Sequence, residues 1–162
     1  MMMQKQWDKL QGDEFTLMAD WRTRWQEQHA EYLYFNEDGI VDHERWATLS
    51  DGKHILVLLK ETNGLQGSLV ECLRHSGNGK TWNNVVRWAK MVLDGVYLEN
   101  VPQCEFQNVI RNIAVMNLKK YAGGPCAHAK EVERVAHQDA DLLRRQIKLY
   151  EPDILLTGGW GL

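Results

Sequence analysis

The residues with the clearest potential for chemistry follow a short apolar run near the middle of the chain. Ile55–Leu59 are all apolar, and the polar residues Glu61, Thr62 and Asn63 come just after them. A carboxylate can orient water or stabilise positive charge, and an amide can read the hydrogen-bonding edge of a base. Gly64 lets the chain turn at little steric cost. The sequence therefore predicts either a ligand site or a simple solvated turn here.

A second apolar run ends in the same abrupt way. Residues 113–116 are followed by Asn117 and then by Lys119 and Lys120. An amide suits a base edge, and lysines suit phosphate groups. Ligands of open α/β sheets bind beyond the carboxyl ends of the strands, so two adjacent parallel strands would place both polar sets in one crevice. The combination predicts a site that processes a nucleic-acid base.

The order of the remaining elements favours an α/β fold with three layers. Apolar runs predict strands at 55–59, 113–117 and 154–156, and helical patterns lie between them at 82–93 and 129–150. Strands that alternate with helices imply parallel pairing through right-handed crossovers. We therefore expect a three-layer sandwich with a central, mainly parallel sheet in which the first two strands are adjacent.

The first third of the chain is predicted to be a helical extension of a single domain. Residues 13–34 carry apolar side chains at helical spacing, and we expect Phe15 and Trp25 to pack in the core. The length of 162 residues suits one domain over 1–162, with 1–52 as the extension.

Gly79, Lys80 and Thr81 open the predicted helix at 82–93, with Thr81 as its expected N-cap. This sequence invites comparison with a phosphate-binding loop, but Arg74 occupies the position of that motif's first glycine. Backbone amides at the helix start can still hold a phosphate of another ligand. Residues 95–107 are expected to be irregular.

Composition and charge exclude several classes of protein. Charged residues at 25% and apolar residues at 44% are globular values. The formal net charge of -3 argues against a protein that coats nucleic acid through bulk charge. It does not exclude a local basic groove. Cys72, Cys104 and Cys126 are widely spaced, so we expect free thiols in a reducing cytoplasm. The absence of a leader and of a long apolar run predicts a soluble cytoplasmic protein with no membrane partner.

Four segments in this order resemble motifs of the uracil-DNA glycosylase superfamily, most closely its thermophilic iron–sulfur branch. LLKETNG resembles the family's strand end Gly-Glu-Ala-Pro-Gly, and GKTWNNVV is similar to its helix start Gly-Arg-x-Gly-x-Leu-Leu. MNLKK resembles the strand end Thr-Asn-Val-Val-Lys. LLRRQIKLYEPDILLTGG resembles a helix of form Leu-x-x-Gln-Ile-x-x-x-x-Pro followed by a strand ending in glycine. The resemblance spans roughly residues 54 to 160 and implies the fold of that superfamily.

The resemblance also implies an activity and a set of site residues. A DNA glycosylase hydrolyses the N-glycosidic bond of a flipped base, in single-stranded or duplex DNA. Glu61 would orient water or stabilise charge on the sugar, and Asn117 would read the base edge. The residues implied to contact the substrate are Thr62 and Asn63 on the pocket floor, Trp82, Asn83 and Asn84 on the far side, and Lys119 and Lys120 at phosphates.

The sequence departs from the family pattern at several positions, and these departures suggest an alternative to an active glycosylase. Lys60 replaces a glycine, Asn63 replaces a proline, and Tyr121 stands where the iron–sulfur branch has a cluster cysteine, so no cofactor or metal is expected. The family's next strand and His-Pro-Ser-like loop are not found before Leu162. We therefore expect a shortened member or an activity other than excision. The alternative is a catalytically inactive module of the same fold that binds nucleic acid, a nucleotide or a protein partner, of phage or anti-phage defence origin.

Overall fold

The computed structural model describes residues 2–28, 34–50, 53–75, 79–124 and 126–158. Its helices are α1 (Met2–Gln28), α2 (His43–Thr48), α3 (Leu69–His75), α4 (Lys80–Asp94), α5 (Gln103–Ile110), α6 (Ala129–Gln138) and α7 (Ala140–Tyr150). Its strands are β1 (Gly39–Ile40), β2 (Ile55–Leu59), β3 (Ile113–Asn117) and β4 (Ile154–Thr157). None of the helices in the described part of the chain combines the length and apolar character needed to cross a bilayer.

The strands form one sheet in the order β1-β3-β2-β4. β2 pairs in parallel with β3 on one side and with β4 on the other. The predicted parallel sheet is confirmed, including the adjacency of its first two strands. The short edge strand β1 pairs antiparallel with β3 and was not predicted, because its two residues are too few to form a recognisable apolar run.

Helices cover both faces of the sheet. Leu56, Ala114 and Met116 point to one face, where they pack with the apolar side chains of α1, α2, α6 and α7. Val57 and Val115 point to the other face and pack with α3, α4 and α5. This alternation follows from the two-residue period of a strand, and it explains why β2 and β3 read as continuous apolar runs.

The orientation of α1 differs from the prediction. Phe15 is 76% exposed, whereas its neighbour Glu14 is buried. Glu14 turns inward because its carboxylate accepts a hydrogen bond from the backbone N–H of Ile40 at 2.9 Å and lies 2.6 Å from His43. Trp25 is in the core as predicted. The segment predicted as a helical extension thus covers one face of the sheet and also contributes β1.

Helix boundaries also differ from the prediction, and α1 begins at Met2 rather than at residue 13. The predicted helix at 129–150 is divided at Asp139, whose backbone is not helical and whose carboxylate accepts a hydrogen bond from the Trp21 indole at 3.0 Å. α5 begins at Gln103, inside the segment predicted to be irregular. α4 begins two residues earlier than expected, with Gly79 rather than Thr81 at its N-cap.

Candidate functional site

The two polar segments predicted to form a site meet at the carboxyl end of the sheet. Backbone pairing continues past the strand ends, since the N–H of Leu118 donates to Leu59 O and that of Gly123 donates to Thr62 O, both at 2.9 Å. These hydrogen bonds hold the segment after β2 beside the segment after β3. The predicted common location is therefore confirmed.

A cavity of about 260 Å³ opens between these segments, α3 and the start of α4. The residues that line it are Leu59, Glu61, Thr62, Asn63, Leu65, Leu69, Cys72, Thr81, Trp82 and Asn117. Sites for drug-sized ligands begin at roughly 300 Å³, so this volume suits one small ring. Half of these residues are polar, but the accessible surface of the lining is mainly apolar, as is usual for a ligand site.

Asn117 is the most unusual residue of this cavity. Its side chain is fully buried, yet neither its Oδ1 nor its Nδ2 has a hydrogen-bond partner among the described residues. Buried polar groups are nearly always paired, and an unpaired one costs about 1–3 kcal/mol. The backbone N–H of Asn117 donates to Asp38 Oδ2 at 2.6 Å, which holds the residue in place. The residue therefore brings an unpaired donor and an unpaired acceptor to the wall of the cavity.

Glu61 is held in the cavity wall by a buried cation. Its side chain is 5% exposed and forms an ion pair with Lys119. The Lys119 ammonium also lies 3.3 Å from a carboxylate oxygen of Glu131 and 4.3 Å from the ring centre of Tyr121. One buried cation is thus shared by two carboxylates, of which only Glu61 lines the cavity.

Gly123 allows Glu61 to occupy this position. A Cβ atom on Gly123 would overlap the Glu61 carboxylate, whereas one on the neighbouring Gly124 would meet nothing within 4 Å. The two adjacent glycines therefore differ in what they do for the site.

We predict that Gly123→Ala displaces the Glu61 carboxylate and lowers the free energy of unfolding by about 1–3 kcal/mol, the usual cost of overpacking. Gly124→Ala is the matched control and should leave both unchanged. Thermal unfolding and a crystal structure of each variant measure the effect. Equal stability of the two variants with an unmoved Glu61 would contradict the prediction.

The predicted role of Lys119 and Lys120 in binding phosphates is wrong. Both side chains are buried, and Lys119 is committed to its two carboxylates. The Lys120 ammonium lies 2.6 and 2.7 Å from the oxygens of Asp38 and 4.2 Å from the ring centre of Trp21. Burial lowers the pKa of Lys120, while the charge of Asp38 acts in the opposite direction. Neither ammonium can reach a phosphate without leaving a buried carboxylate unpaired.

Asp38 connects the cavity to a buried polar network. Gln146 donates hydrogen bonds to Asp38 Oδ1 at 2.8 Å and to the Tyr150 hydroxyl at 3.0 Å. That hydroxyl donates to Glu14, and burial raises the pKa of Tyr150. Because Asp38 also accepts the backbone N–H of Asn117, the network fixes the end of β3.

The other residues predicted to contact the substrate divide into three groups. Asn63 and Trp82 line the cavity. Thr62 also lines it, but its hydroxyl is buried and donates to Asn36 Oδ1 at 2.7 Å. Asn83 and Asn84 do not line it, and the Asn84 side chain instead accepts a hydrogen bond from Arg87 at 2.9 Å. The placement of those two asparagines at the site was wrong.

Sequence reasoning missed three residues that shape the site. No role at the site was predicted for Asp38 or Gly123, and Thr81 was predicted only as a helix cap. Asp38 and Gly123 act through contacts with residues distant in sequence, so no local pattern could have identified them. The Gly-Lys-Thr sequence did point to the start of α4 and is the signal that could have placed Thr81 at the cavity.

Comparisons of the chain with protein-family models, with curated proteins and with solved structures gave no match. Within the described ranges, no group of three or more His, Cys, Asp or Glu side chains is arranged to hold a metal ion. The fold class and the geometry of the cavity are therefore the basis for a functional proposal.

Proposed function

We propose that this protein is a DNA glycosylase-like enzyme that binds a flipped base beside Asn117 and hydrolyses its N-glycosidic bond. The observation that carries the proposal is the unpaired, fully buried amide of Asn117 in a cavity the size of a small ring. A donor and an acceptor side by side can pair with the Watson–Crick edge of a base, which is how base-flipping enzymes read their target.

Glu61 is the acidic group of the proposed reaction. It lines the same cavity and forms an ion pair with Lys119. Its carboxylate occupies the space that a side chain on residue 123 would fill. Bond cleavage leaves positive charge on the sugar, and a fixed carboxylate can stabilise that charge or orient the attacking water. Trp82, at the cavity wall, offers a flat apolar surface against which a base can stack.

One observation favours the alternative, a non-catalytic module of the same fold that binds nucleic acid or a nucleotide. The negative charge of Glu61 is already compensated by the buried Lys119 ammonium. A compensated carboxylate stabilises a developing cation less than an unpaired one does. This module would bind a base through Asn117 and release no product.

Two buried asparagines provide a matched test of whether Asn117 serves a ligand rather than the fold. Asn36 is equally buried, but its Nδ2 donates to the carbonyls of Leu65 and Gly67 and its Oδ1 accepts from Thr62. We predict that Asn36→Ala lowers the free energy of unfolding by about 2–4 kcal/mol, because it leaves buried partners unpaired. Asn117→Ala should change it by less than about 1 kcal/mol, since no bond within the described protein is lost.

Discrimination between bases should be affected in the opposite order, with the larger loss in Asn117→Ala than in Asn36→Ala. Asn117→Ala is expected to lose about 1–3 kcal/mol of discrimination between bases, measured by titration of oligonucleotides that differ in one base. Denaturant unfolding of both variants gives the stability half of the comparison. A large loss of stability in Asn117→Ala with unchanged base preference would assign this amide to the fold and remove the main support for the proposal.

A further inference from the structure

The start of α4 forms one side of the cavity. Thr81 and Trp82, in the first turn of this 15-residue helix, both line it. The N-cap is Gly79, which has no side chain to accept a hydrogen bond from the helix, and its positive φ of 133° suits glycine. The first turn contains no acidic residue, and the side chain of Lys80 is exposed there.

Such a helix start carries a partial positive charge. The first backbone N–H groups of a helix have no acceptor within it, and the helix dipole adds about half a positive charge at this end. Phosphates bind well at such places because backbone N–H groups point at them. The exposed Lys80 adds a full positive charge to the same turn.

The cavity itself supplies an independent sign of a ligand at this helix end. Asn117, whose amide is unpaired, lines the same cavity as Thr81 and Trp82. A group that satisfies Asn117 therefore lies within the same small cavity as the first turn of α4. An anion attached to that group would meet the helix start.

We propose that the first turn of α4 binds the phosphate of the nucleotide whose base occupies the cavity beside Asn117. This inference rests on the proposed function, and it names the substrate class as a nucleotide or a nucleic-acid strand rather than a free base or nucleoside. It also gives the site a phosphate contact, which the buried Lys119 and Lys120 do not supply. The binding groups are the backbone N–H groups of the first turn, the Thr81 hydroxyl and the Lys80 ammonium.

The experiment compares ligands that differ only in a phosphate. Wild-type protein is titrated with 2′-deoxyuridine, with its 5′- and 3′-monophosphates, with the corresponding cytosine compounds, and with inorganic phosphate. We expect a monophosphate to bind about tenfold more tightly than its nucleoside, as a charge-assisted hydrogen bond provides. Inorganic phosphate should compete with the monophosphates and leave the binding of the nucleosides unchanged.

Thr81→Glu is the decisive variant, because it places a negative charge where the phosphate is expected to bind. An acidic residue in the first turn interacts favourably with the helix dipole and stabilises the helix. The variant should therefore fold at least as well as wild type. We expect it to abolish the tenfold gain. On single-stranded DNA it should reduce the slope of log affinity against log salt by about 0.7, the value for one phosphate contact.

Two controls isolate the charge and its position. Thr81→Gln introduces a side chain of the same size as Thr81→Glu but without the charge. It loses the Thr81 hydroxyl and should keep part of the gain, because the backbone N–H groups and the Lys80 ammonium remain. Gln103→Glu adds a negative charge to the exposed first residue of α5, which does not line the cavity, and it should keep the full gain.

The outcomes separate this inference from the proposed function. Equal binding of nucleoside and monophosphate, or equal behaviour of Thr81→Glu and Thr81→Gln, overturns the inference even if the protein releases bases from DNA. The inference is also overturned if none of these compounds binds to the protein. Phosphate-dependent binding that Thr81→Glu abolishes supports it even if no base is released, in which case the excision proposal alone is wrong.

Discussion

Replacing Asp38 by alanine is expected to lower the free energy of unfolding by about 3–5 kcal/mol, because the fully buried Lys120 ammonium would lose its counter-charge. The backbone N–H of Asn117 would lose its acceptor in the same variant. Denaturant unfolding measures the loss. The Asp38→Ala substitution should also shift the end of β3, and with it the Asn117 amide.

Two further variants show whether the loss comes from the buried charge. Asp20→Ala breaks an exposed ion pair with Arg145, in which both side chains are about half exposed, and should cost no more than about 1 kcal/mol. Adding Lys120→Met to Asp38→Ala should recover part of the loss, since no unpaired charge is then buried. A loss below about 1 kcal/mol for Asp38→Ala would show that this ion pair does not hold the site.

Glu61→Gln is expected to preserve DNA binding and to reduce base release by about 10²-fold or more, because an amide cannot compensate the charge that develops on the sugar. Single-turnover kinetics on an oligonucleotide substrate measure this effect. Glu131→Gln is the matched control, since Glu131 also contacts Lys119 but does not line the cavity. Equal losses in the two variants would mean that they act through Lys119 rather than through contact with the substrate.

The strands were predictable because their signals are local. β2, β3 and β4 are apolar runs bounded by turn residues, and the helical segments between them require parallel pairing. The position of the site followed from the same pattern, since polar residues begin where two of these strands end. Glu61 and Asn117 line one cavity for this reason.

The burial of the lysines was not predictable from local sequence. Lys119 and Lys120 read as a basic pair suited to phosphates, but the partner of Lys120 is Asp38, 82 residues away in the chain. The pairing of β1 with β3 and the hydrogen bond from the backbone N–H of Asn36 to Lys120 O bring these groups together. A charged side chain is buried where a partner is already in place, and no spacing rule reports a partner at that distance.

The orientation of α1 shows a second limit of sequence reasoning. Adjacent positions of a helix differ by about 100° around its axis, so Glu14 and Phe15 compete for the inward direction. Hydrophobicity alone selects Phe15. Instead, Glu14 points inward because its carboxylate contacts Ile40, His43 and Tyr150. These contacts depend on the assembled fold.

The central claim is that the protein excises a base bound in the cavity beside Asn117. Measuring base release from DNA tests this claim most directly. Wild-type protein is incubated with single-stranded and duplex oligonucleotides that contain one uracil or modified base, and alkaline cleavage reveals abasic sites. We predict cleavage at the marked base with wild type, about 10²-fold less with Glu61→Gln, and relaxed base choice with Asn117→Ala. Binding without release from any oligonucleotide, with Glu61→Gln binding identically, would contradict this account and favour the non-catalytic module.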